Sequence, residues 1–328
     1  MAKKPIIVSG IQPTGNLHIG NYLGAVRNWV DLQNGGEYEM YIFIADLHSL
    51  SGQIKGKELH QQIIRTAAEL VAAGIDPEKT TFFVQSHVSY CTELAWIFNT
   101  ITPVAELERM TQFKDKAERQ SKNVNVGLFT YPVLQAADIL LYKGTYVPVG
   151  QDQIQHVELT RDCARWFNKK YETYFPETKH LLTEIPKVMS LLEPTKKMSK
   201  SHGPDSIIEL ADEPSVIEKK LKKAVTASEG GEGAPGVENL LSLLKHFGTK
   251  ELHKQFVSAE KDGSIRYGDL KKAVADAISN YFIDFRKRRD ELMNNPDEIA
   301  EYLLHGAEKA RVVAEKTMTD VRKIVGIR

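Results

Sequence analysis

The first half of the chain alternates short runs of β-branched and aromatic residues with longer amphipathic stretches. This alternation is typical of a parallel sheet whose strands are joined by right-handed crossover helices. Between two of the runs, Lys57 to Ala73 repeats apolar residues near helical spacing, and Gly74 then favours a helix end. The pattern predicts the α/β fold class, with a doubly wound parallel sheet. The predicted strands are Ile6 to Ser9, Met40 to Ala45, Thr81 to Gln85 and Tyr146 to Val149.

The part of the chain beyond residue 204 has a different pattern. A glycine-rich stretch at 229–236 and several helical segments occur there without convincing strands. Leu270 to Arg289 and Pro296 to Val325 repeat apolar residues at helical spacing among many charges. We therefore expect two domains, an α/β domain over residues 1–204 and a C-terminal α-helical domain over residues 205–328.

Composition places the chain among soluble globular proteins, since 42% of its 328 residues are hydrophobic and 26% are charged. Met1 to Pro5 is followed by only three apolar residues, too few for a signal peptide, and no later apolar run is long enough to span a bilayer. We expect a cytoplasmic protein with no membrane partner. The two cysteines, Cys91 and Cys163, lack metal-type spacing, so they are interpreted as packing residues and no metal site is predicted.

The net charge is formally zero, because 43 basic residues balance 43 acidic ones. No whole-molecule field therefore indicates nucleic-acid binding, and any contact with RNA must be local. Basic clusters occur at Lys219 to Lys223 and at Arg286 to Arg289. Either cluster taken alone is more typical of a solvated helix face.

Polar and glycine-rich segments follow three of the predicted strands. Gln12 to Asn21 follows the first, Asp46 and His48 follow the second, and Gly150 to Gln153 follows the fourth. In open parallel sheets, ligands bind beyond the carboxyl ends of the strands. These segments are therefore the first candidates for a binding site.

The turn within Ser9 to Gly24 joins a strand to a helix through closely spaced glycines. The helix predicted to begin near Gly20 would direct unpaired N–H groups at an anion, and a triphosphate would suit that position. His18 adds a donor that could stabilise charge on a transferring phosphoryl group, while Gln12 and Asn21 could fix nucleotide geometry. The alternative is that the glycines only make a tight corner, as many such turns do.

A second segment, Lys197-Met198-Ser199-Lys200-Ser201, lies in a polar stretch with Pro194 before it and Gly203 after it. Two lysines three residues apart, with hydroxyls between them, can close on a leaving pyrophosphate and neutralise it in the transition state. Two lysines alone would more often be a solvated basic loop. The complete pentapeptide, following a phosphate-type turn, favours the functional interpretation.

Together the two segments resemble the signatures of the class I aminoacyl-tRNA synthetases, a His-Ile-Gly-His-like turn and a Lys-Met-Ser-Lys-Ser loop. Here the first signature is His18-Ile19-Gly20-Asn21, and asparagine at its fourth position is similar to tryptophanyl enzymes. The resemblance to bacterial and mitochondrial tryptophanyl-tRNA synthetases covers nearly the whole chain and implies a Rossmann-like α/β domain. Further matching segments are Gly74 to Pro77, Glu106 to Lys114, Tyr131 to Tyr142 and Val147 to Gln153.

The resemblance implies which residues bind ATP and act in catalysis. Lys116 would be a third lysine on the pyrophosphate, so the catalytic residues implied are His18, Lys116, Lys197 and Lys200. The residues implied to surround ATP are Gln12, Pro13, Thr14, Gly20, Asn21, Gly150, Gln151, Asp152, Val188, Lys197, Met198, Ser199, Lys200 and Ser201.

Asp138 corresponds by the same resemblance to the carboxylate that reads tryptophan. Indole has one hydrogen-bonding group, a donor, and a buried carboxylate is a strong acceptor for it. The alternative is a helix residue facing solvent, which its apolar neighbours from Ala136 to Leu141 disfavour. The other substrate residues implied are Tyr131 and Gln153 for the amino group, and His48, Val147 and Val149 for the pocket wall.

The implied reaction is the activation of L-tryptophan by ATP, with Mg²⁺ bound through the phosphates, followed by transfer of tryptophan to tRNA(Trp). The resemblance also implies an anticodon-binding role for residues 205–328. It further implies a homodimer whose interface lies in a helical insertion at about 90–140, around Pro103 to Lys116. Three alternatives stay open at this point: a tyrosyl-tRNA synthetase, a noncatalytic RNA-binding paralogue, and a stand-alone nucleotidyltransferase acting on a small acid.

Overall fold

The computed structural model describes residues 4–52, 54–111, 124–182, 187–226 and 233–327. Its strands are β1 (Ile6–Ile11), β2 (Glu39–Ile44), β3 (Thr81–Val84), β4 (Tyr146–Val149) and β5 (Lys179–Leu182). Within the described residues they form one five-stranded sheet in the order β3-β2-β1-β4-β5, and all neighbouring pairs are parallel. Because the chain moves outward from the central β1 in both directions, the sheet is doubly wound.

The sheet agrees with the predicted α/β class, and the four predicted strands are confirmed. Its inner strands are buried on both faces, as helix-covered parallel strands must be, and Ile7, Val8, Ile42 and Ile44 have no exposed surface. The edge strand β5 was not predicted. Three of its four residues are exposed, so it lacks the apolar run by which a buried strand is found.

The helices connect and cover these strands. The predicted helix at Lys57 to Ala73 is present with a shift of one residue, and Gly74, at φ +113°, follows its end. The helices of the described residues are α1 (Ile19–Asn21), α2 (Arg27–Gly35), α3 (Asp46–Ser49), α4 (Gly56–Ala72), α5 (Tyr90–Asn99), α6 (Val104–Glu108), α7 (Val126–Leu141), α8 (Ile154–Lys170), α9 (Pro214–Lys223), α10 (Pro235–Phe247), α11 (Lys250–Lys261), α12 (Tyr267–Tyr281), α13 (Ile283–Asn294) and α14 (Pro296–Val325). Tyr22–Val26, between α1 and α2, is a π-helical segment. Of the helices described, none has the length and apolar character needed to cross a membrane.

The segment predicted as helical from Leu270 to Arg289 is two helices, α12 and α13, separated at Phe282. Phe282 is 2% exposed, and its ring packs edge-on against Tyr22 and beside Phe247. The break therefore coincides with an aromatic side chain that is buried by tertiary contacts, which local periodicity does not reveal.

The chain divides into two compact units, each built from separate segments. The sheet unit comprises Met1–Gly15, Asn28–Glu184 and Asn295–Arg328, and the helical unit comprises Asn16–Arg27 and Ile185–Asn294. This division differs from the single boundary that we expected near residue 204. In particular, the last helix belongs to the sheet unit. An anticodon-binding role for residues 205–328 stays a prediction.

The place of α14 in the sheet unit depends on Gly306. A Cβ atom on Gly306 would lie 1.7 Å from the carbonyl oxygen of Phe82 in β3. The helix therefore approaches the strand backbone more closely than any side chain would allow. Further along α14, Arg322 pairs with Glu93 of α5 through two nitrogen–oxygen contacts. Close packing and this ion pair fix the C-terminal helix on the sheet unit.

Candidate active site

His18 is held by a reciprocal cap at the start of α1. Its Nδ1 accepts a hydrogen bond from the Gly20 N–H (3.1 Å), and its own backbone N–H donates to Asn21 Oδ1 (3.2 Å). A Cβ atom on Gly20 would lie 2.9 Å from the imidazole ring, so only glycine leaves room for this arrangement. Within the signature, Gly20 therefore holds the His18 ring and Asn21 holds the His18 backbone.

The environment of His18 keeps its ring neutral. Burial, and then the charges of Lys200 and Lys197, lower the pKa of His18 to about 4. Because Nδ1 accepts a hydrogen bond, the neutral ring carries its proton on Nε2. His18 is thus a neutral donor near two lysines, and it can contact an anion without bringing a further full charge into the site.

The lysine loop, Lys197 to Ser201, is anchored by its second residue, Met198. Met198 is 3% exposed, and its backbone N–H donates to Val188 O (2.9 Å) beside a bridge that pairs Met189 with Lys197. The hydroxyl oxygens of Ser199 and Ser201 lie 2.9 Å apart. Methionine therefore fixes the segment by burial, while the polar residues around it remain at or near the surface.

Backbone hydrogen bonds join the His18 turn to the segment that follows the lysine loop. The Ile19 N–H donates to Ile208 O, and the Leu210 N–H donates to Leu17 O, both at 2.9 Å. Asn16 Nδ2 also donates to Glu209 Oε2 at 2.7 Å. The two signatures, although far apart in sequence, thus belong to one cluster within the helical unit. Of the residues predicted to act on ATP, this cluster contains His18, Gly20, Asn21, Val188, Lys197, Met198, Ser199, Lys200 and Ser201.

The sheet unit contains a buried carboxylate, Asp138 of α7, which is 2% exposed. Gln85 Nε2 lies 2.9 and 2.8 Å from its two oxygens, and His48 Nε2 lies 2.8 Å from Oδ2. The Cys91 thiol contacts it too, and burial followed by the charge of Asp138 raises the pKa of that thiol far above its ordinary value. Asp138 is therefore an oriented acceptor and not a solvent-facing helix residue.

Tyr131, also on α7, lies beside His48 and His156. Its hydroxyl is 2.9 Å from His156 Nε2, and its ring meets the His48 ring edge-on at 6.3 Å between centroids. Burial raises the pKa of Tyr131 to about 12, so the phenol keeps its proton. The predicted wall residues Val147 and Val149 are buried in β4.

The sheet unit also contains a cavity of about 420 Å³. Gln12, Thr14 and Gly15 line one side of it, and His48 lies on its wall. Residues predicted for ATP and for tryptophan thus meet at one opening at the carboxyl ends of β1 and β2.

The remaining residues predicted for ATP lie in the segments that follow β1 and β4, except Lys116. Pro13 is buried beside Gln12 and Thr14. Gly150 follows β4 and precedes the short 3₁₀ helix Gln151–Gln153, which includes Asp152. Lys116 lies outside the described residues.

Gln85 and His156 were missed by the sequence interpretation. Gln85 directly follows β3 in the structure, but the predicted strand extended to Gln85, so the rule that selected residues after the other strands did not select it. His156 lies within α8, where nothing in the local pattern marks it, since its contact with Tyr131 is a tertiary one.

Comparison with known proteins agrees with this geometry. The family described as tRNA synthetases class I (W and Y) matches residues 1–283. A tryptophan–tRNA ligase of Bacillus anthracis is 46% identical, with 98% of each chain covered. Tryptophan–tRNA ligase 2 of Streptomyces avermitilis is 43% identical over 98% of this chain and 97% of its own.

Solved structures give the same result. A tryptophanyl-tRNA synthetase from Campylobacter jejuni, complexed with ADP and tryptophan, has a TM-score of 0.87 and 35% identity, covering 98% of this chain and 99% of its own. A tyrosyl-tRNA synthetase from Archaeoglobus fulgidus shares the fold, with a TM-score of 0.69 at 23% identity, covering 87% of this chain and 90% of its own. The fold and the two signatures define a class I aminoacyl-tRNA synthetase. The chain belongs to the family of the tryptophan and tyrosine enzymes, among the tryptophan–tRNA ligases.

Proposed function

We propose that this protein activates L-tryptophan with ATP and transfers it to the 3′ end of tRNA(Trp). The observation that carries the proposal is the cluster of the helical unit, in which a neutral His18 lies near the two loop lysines. Such a cluster of donors and cations fits a polyphosphate. The family and its tryptophan–tRNA ligase members, at 41–46% identity over nearly the full chain, support the same activity.

In the first step, a carboxylate oxygen of tryptophan attacks the α-phosphorus of ATP. The bond between that phosphorus and the oxygen bridging to the β-phosphate breaks, and pyrophosphate leaves with the electron pair. His18 donates its Nε2 proton in a hydrogen bond to the phosphate oxygens, while Lys197 and Lys200 neutralise the departing charge. No covalent enzyme intermediate is required, because positioning and charge stabilisation lower the barrier.

Mg²⁺ is proposed to accompany ATP, bound through the phosphate oxygens and water, as is usual for this ion in nucleotide sites. In the cluster of the helical unit, Ser199 and Ser201 carry hydroxyl groups. Hydroxyl oxygens fit such an arrangement, because Mg²⁺ prefers oxygen ligands. When bound, the ion would neutralise part of the phosphate charge.

Tryptophan is proposed to be selected by Asp138. Its carboxylate is oriented by Gln85 and His48 and would accept the indole N–H. An amino acid without that donor would leave a buried carboxylate incompletely paired, at a cost of about 1–3 kcal/mol or more. Tyr131 and Gln153 are proposed to bind the α-amino group, and Val147 and Val149 to pack against the ring.

In the second step, a hydroxyl oxygen of the terminal ribose of tRNA attacks the carboxyl carbon of the adenylate. The bond from that carbon to the phosphate oxygen breaks, AMP leaves with the electron pair, and the hydroxyl proton passes to the departing phosphate. Residues 205–328 are proposed to meet the anticodon.

A symmetric homodimer is proposed with an interface in the region 90–140. Trp96 of α5 is 70% exposed and Val104 of α6 is 61% exposed, and Val126 at the start of α7 is also exposed. Large apolar side chains grouped in one region of the sequence are typical of an interface between subunits.

The deciding experiment is ATP–pyrophosphate exchange with a panel of amino acids, followed by charging of tRNA transcripts. We expect exchange with tryptophan and charging of tRNA(Trp). Exchange driven by tyrosine and not by tryptophan would identify a tyrosyl enzyme. Binding of tRNA without exchange would identify a noncatalytic paralogue, and exchange without charging a nucleotidyltransferase.

A further inference from the structure

The cavity of the sheet unit has more lining than tryptophan and ATP account for. Beyond Gln12, Thr14 and Gly15 it extends to Ser49 and Ser51 and to the first turns of α4. Its volume of about 420 Å³ lies in the range of small-molecule sites. Asp138, Tyr131 and the β4 valines, proposed for tryptophan, are not among its described lining residues, nor are the ATP residues Gly150 and Gln151. Part of the cavity wall is therefore assigned to neither of these two substrates.

The polar groups of the cavity favour a neutral ligand that donates hydrogen bonds. Glu58 and Gln62, four residues apart on α4, both line it on the same helical face. The amide oxygen of Gln62 is buried and has no hydrogen-bond partner among the residues that the structure describes. A ligand that supplies a donor to such a buried acceptor is therefore stabilised by the new hydrogen bond.

The charge of the lining argues against phosphate at this place. Its described residues include the carboxylate of Glu58 and no lysine or arginine. A polyphosphate is therefore disfavoured here, whereas a base and a ribose are not. Ile54 and Leu128 contribute apolar surface against which a flat ring can pack, and the hydroxyls of Ser49 and Ser51 can accept from ribose.

We propose that this cavity receives the terminal adenosine of tRNA, with the exocyclic amino group of adenine donating to Gln62 Oε1. The inference rests on the proposed function, since the terminal ribose must reach the carboxyl carbon of the adenylate. Gln12 and Thr14, predicted for ATP, and His48, predicted for tryptophan, meet at this cavity. A nucleoside within it would have its ribose next to the junction of the two substrates.

The test separates activation from transfer in the full-length protein. Gln62→Leu removes the acceptor, and a tRNA ending in purine riboside removes the amino group. Each change alone is expected to slow single-turnover transfer from bound tryptophanyl-adenylate about tenfold, the value of one hydrogen bond. Because both changes remove the same contact, transfer should be no slower with the two changes combined than with either one alone. ATP–pyrophosphate exchange should be unchanged throughout.

Gln61→Leu is the matched control, because Gln61 is the exposed neighbour of Gln62 on α4 and does not line the cavity. The inference is overturned if Gln62→Leu leaves the transfer rate unchanged, or if it lowers exchange and transfer equally. It is also overturned if Gln62→Leu and the purine riboside tRNA together slow transfer by the product of their separate factors. The purine riboside tRNA with the unaltered protein gives an independent result that does not depend on the folding of a variant. If instead the proposed function is wrong, the unaltered protein will show no tryptophan-dependent ATP–pyrophosphate exchange.

Discussion

The side-chain amide of Gln85 spans the carboxylate of Asp138, with Nε2 at 2.9 Å from Oδ1 and 2.8 Å from Oδ2. The other end of the amide is also fixed, because Gln85 Oε1 accepts from the Leu47 N–H at 3.1 Å. The orientation of the amide is thus determined by the backbone after β2. Asp138 is in turn oriented by a residue that does not need to touch tryptophan itself, so Gln85 is a positioning residue for the proposed acceptor of the indole N–H.

We predict that Gln85→Leu weakens tryptophan binding without changing ATP binding. A hydrogen bond to a charged group contributes about 1.5–3 kcal/mol, so KM for tryptophan should rise roughly ten- to hundredfold. The measurement is ATP–pyrophosphate exchange at varied tryptophan and at varied ATP. Gln85→Glu should be worse still, because it would bring a second carboxylate against Asp138.

Gln33→Leu is the control for this prediction. Gln33 is also a buried glutamine of the sheet unit, and it bonds Gly74 O, the Asp76 N–H and the Thr80 hydroxyl. Its loss should lower the free energy of unfolding but leave KM for tryptophan unchanged. If both variants raise this KM alike, Gln85 contributes only stability.

The parts of the fold and site that could be predicted are those with local signals. The strands β1 to β4 were found from their apolar runs, and α4 was found from its periodicity and the glycine that follows. The His18 turn and the lysine loop were recognised because each is a short contiguous string. His48 was selected because it follows a predicted strand, and in the structure it lines a cavity. The rule works because the carboxyl ends of parallel strands meet at the same edge of the sheet.

The parts that could not be predicted depend on contacts between distant residues. Gln85 and Asp138 are 53 residues apart, and no pattern in either segment specifies the other. The pairing of Leu17 and Ile19 with residues 208–210 likewise has no signal in the turn itself. The C-terminal helix was found from its periodicity, but its place on the sheet unit follows from the fit of Gly306 against Phe82.

A second prediction concerns the protonation of His18. Since burial and two lysines lower its pKa to about 4, the ring should be neutral throughout the pH range of ordinary assays. In an NMR titration of labelled histidine, the His18 resonance should move with a midpoint near 4. Lys200→Met should raise that midpoint, because one of the opposing charges is removed.

The sign of the accompanying stability change follows from linkage. The folded pKa of His18 lies below the ordinary histidine value of 6.5, so the unfolded chain binds more protons between these two values. The contribution of His18 to stability is fully present above pH 6.5 and is lost as the pH falls towards 4. His253 serves as an internal control in the same spectra, since burial and Lys245 lower its pKa and Lys200 is not among the causes. A His18 midpoint that stays the same in Lys200→Met would contradict the coupling.

A third prediction concerns Gly20→Ala. The added methyl would lie 2.9 Å from the His18 ring, so the ring must move by some tenths of an ångström or more. Misplacement of a catalytic group by about 1 Å can lower a rate a hundredfold. We expect the rate of tryptophanyl-adenylate formation to fall ten- to hundredfold, measured in a single turnover. Gly268→Ala, at a helical glycine of the same unit with open space around it, should leave this rate unchanged. Equal rates for Gly20→Ala and the unaltered protein would mean that His18 does not need this position.

A fourth prediction concerns the attachment of the C-terminal helix. Gly306→Ala would place a methyl group 1.7 Å from the Phe82 carbonyl oxygen, and neither the strand nor the helix can yield without losing packing across β3. Helix propensity alone would favour alanine by up to about 1 kcal/mol, whereas overpacking typically costs about 1–3 kcal/mol. A contact of 1.7 Å against backbone belongs at the upper end of that range, so the steric term is larger. Urea unfolding should therefore show a lower midpoint for Gly306→Ala. Gly56→Ala, in α4 of the same unit and with open space at its Cβ position, should not lower the midpoint. If Gly306→Ala instead raised the midpoint, propensity would outweigh sterics, and α14 would have to be held on the sheet unit chiefly by contacts such as Arg322 with Glu93.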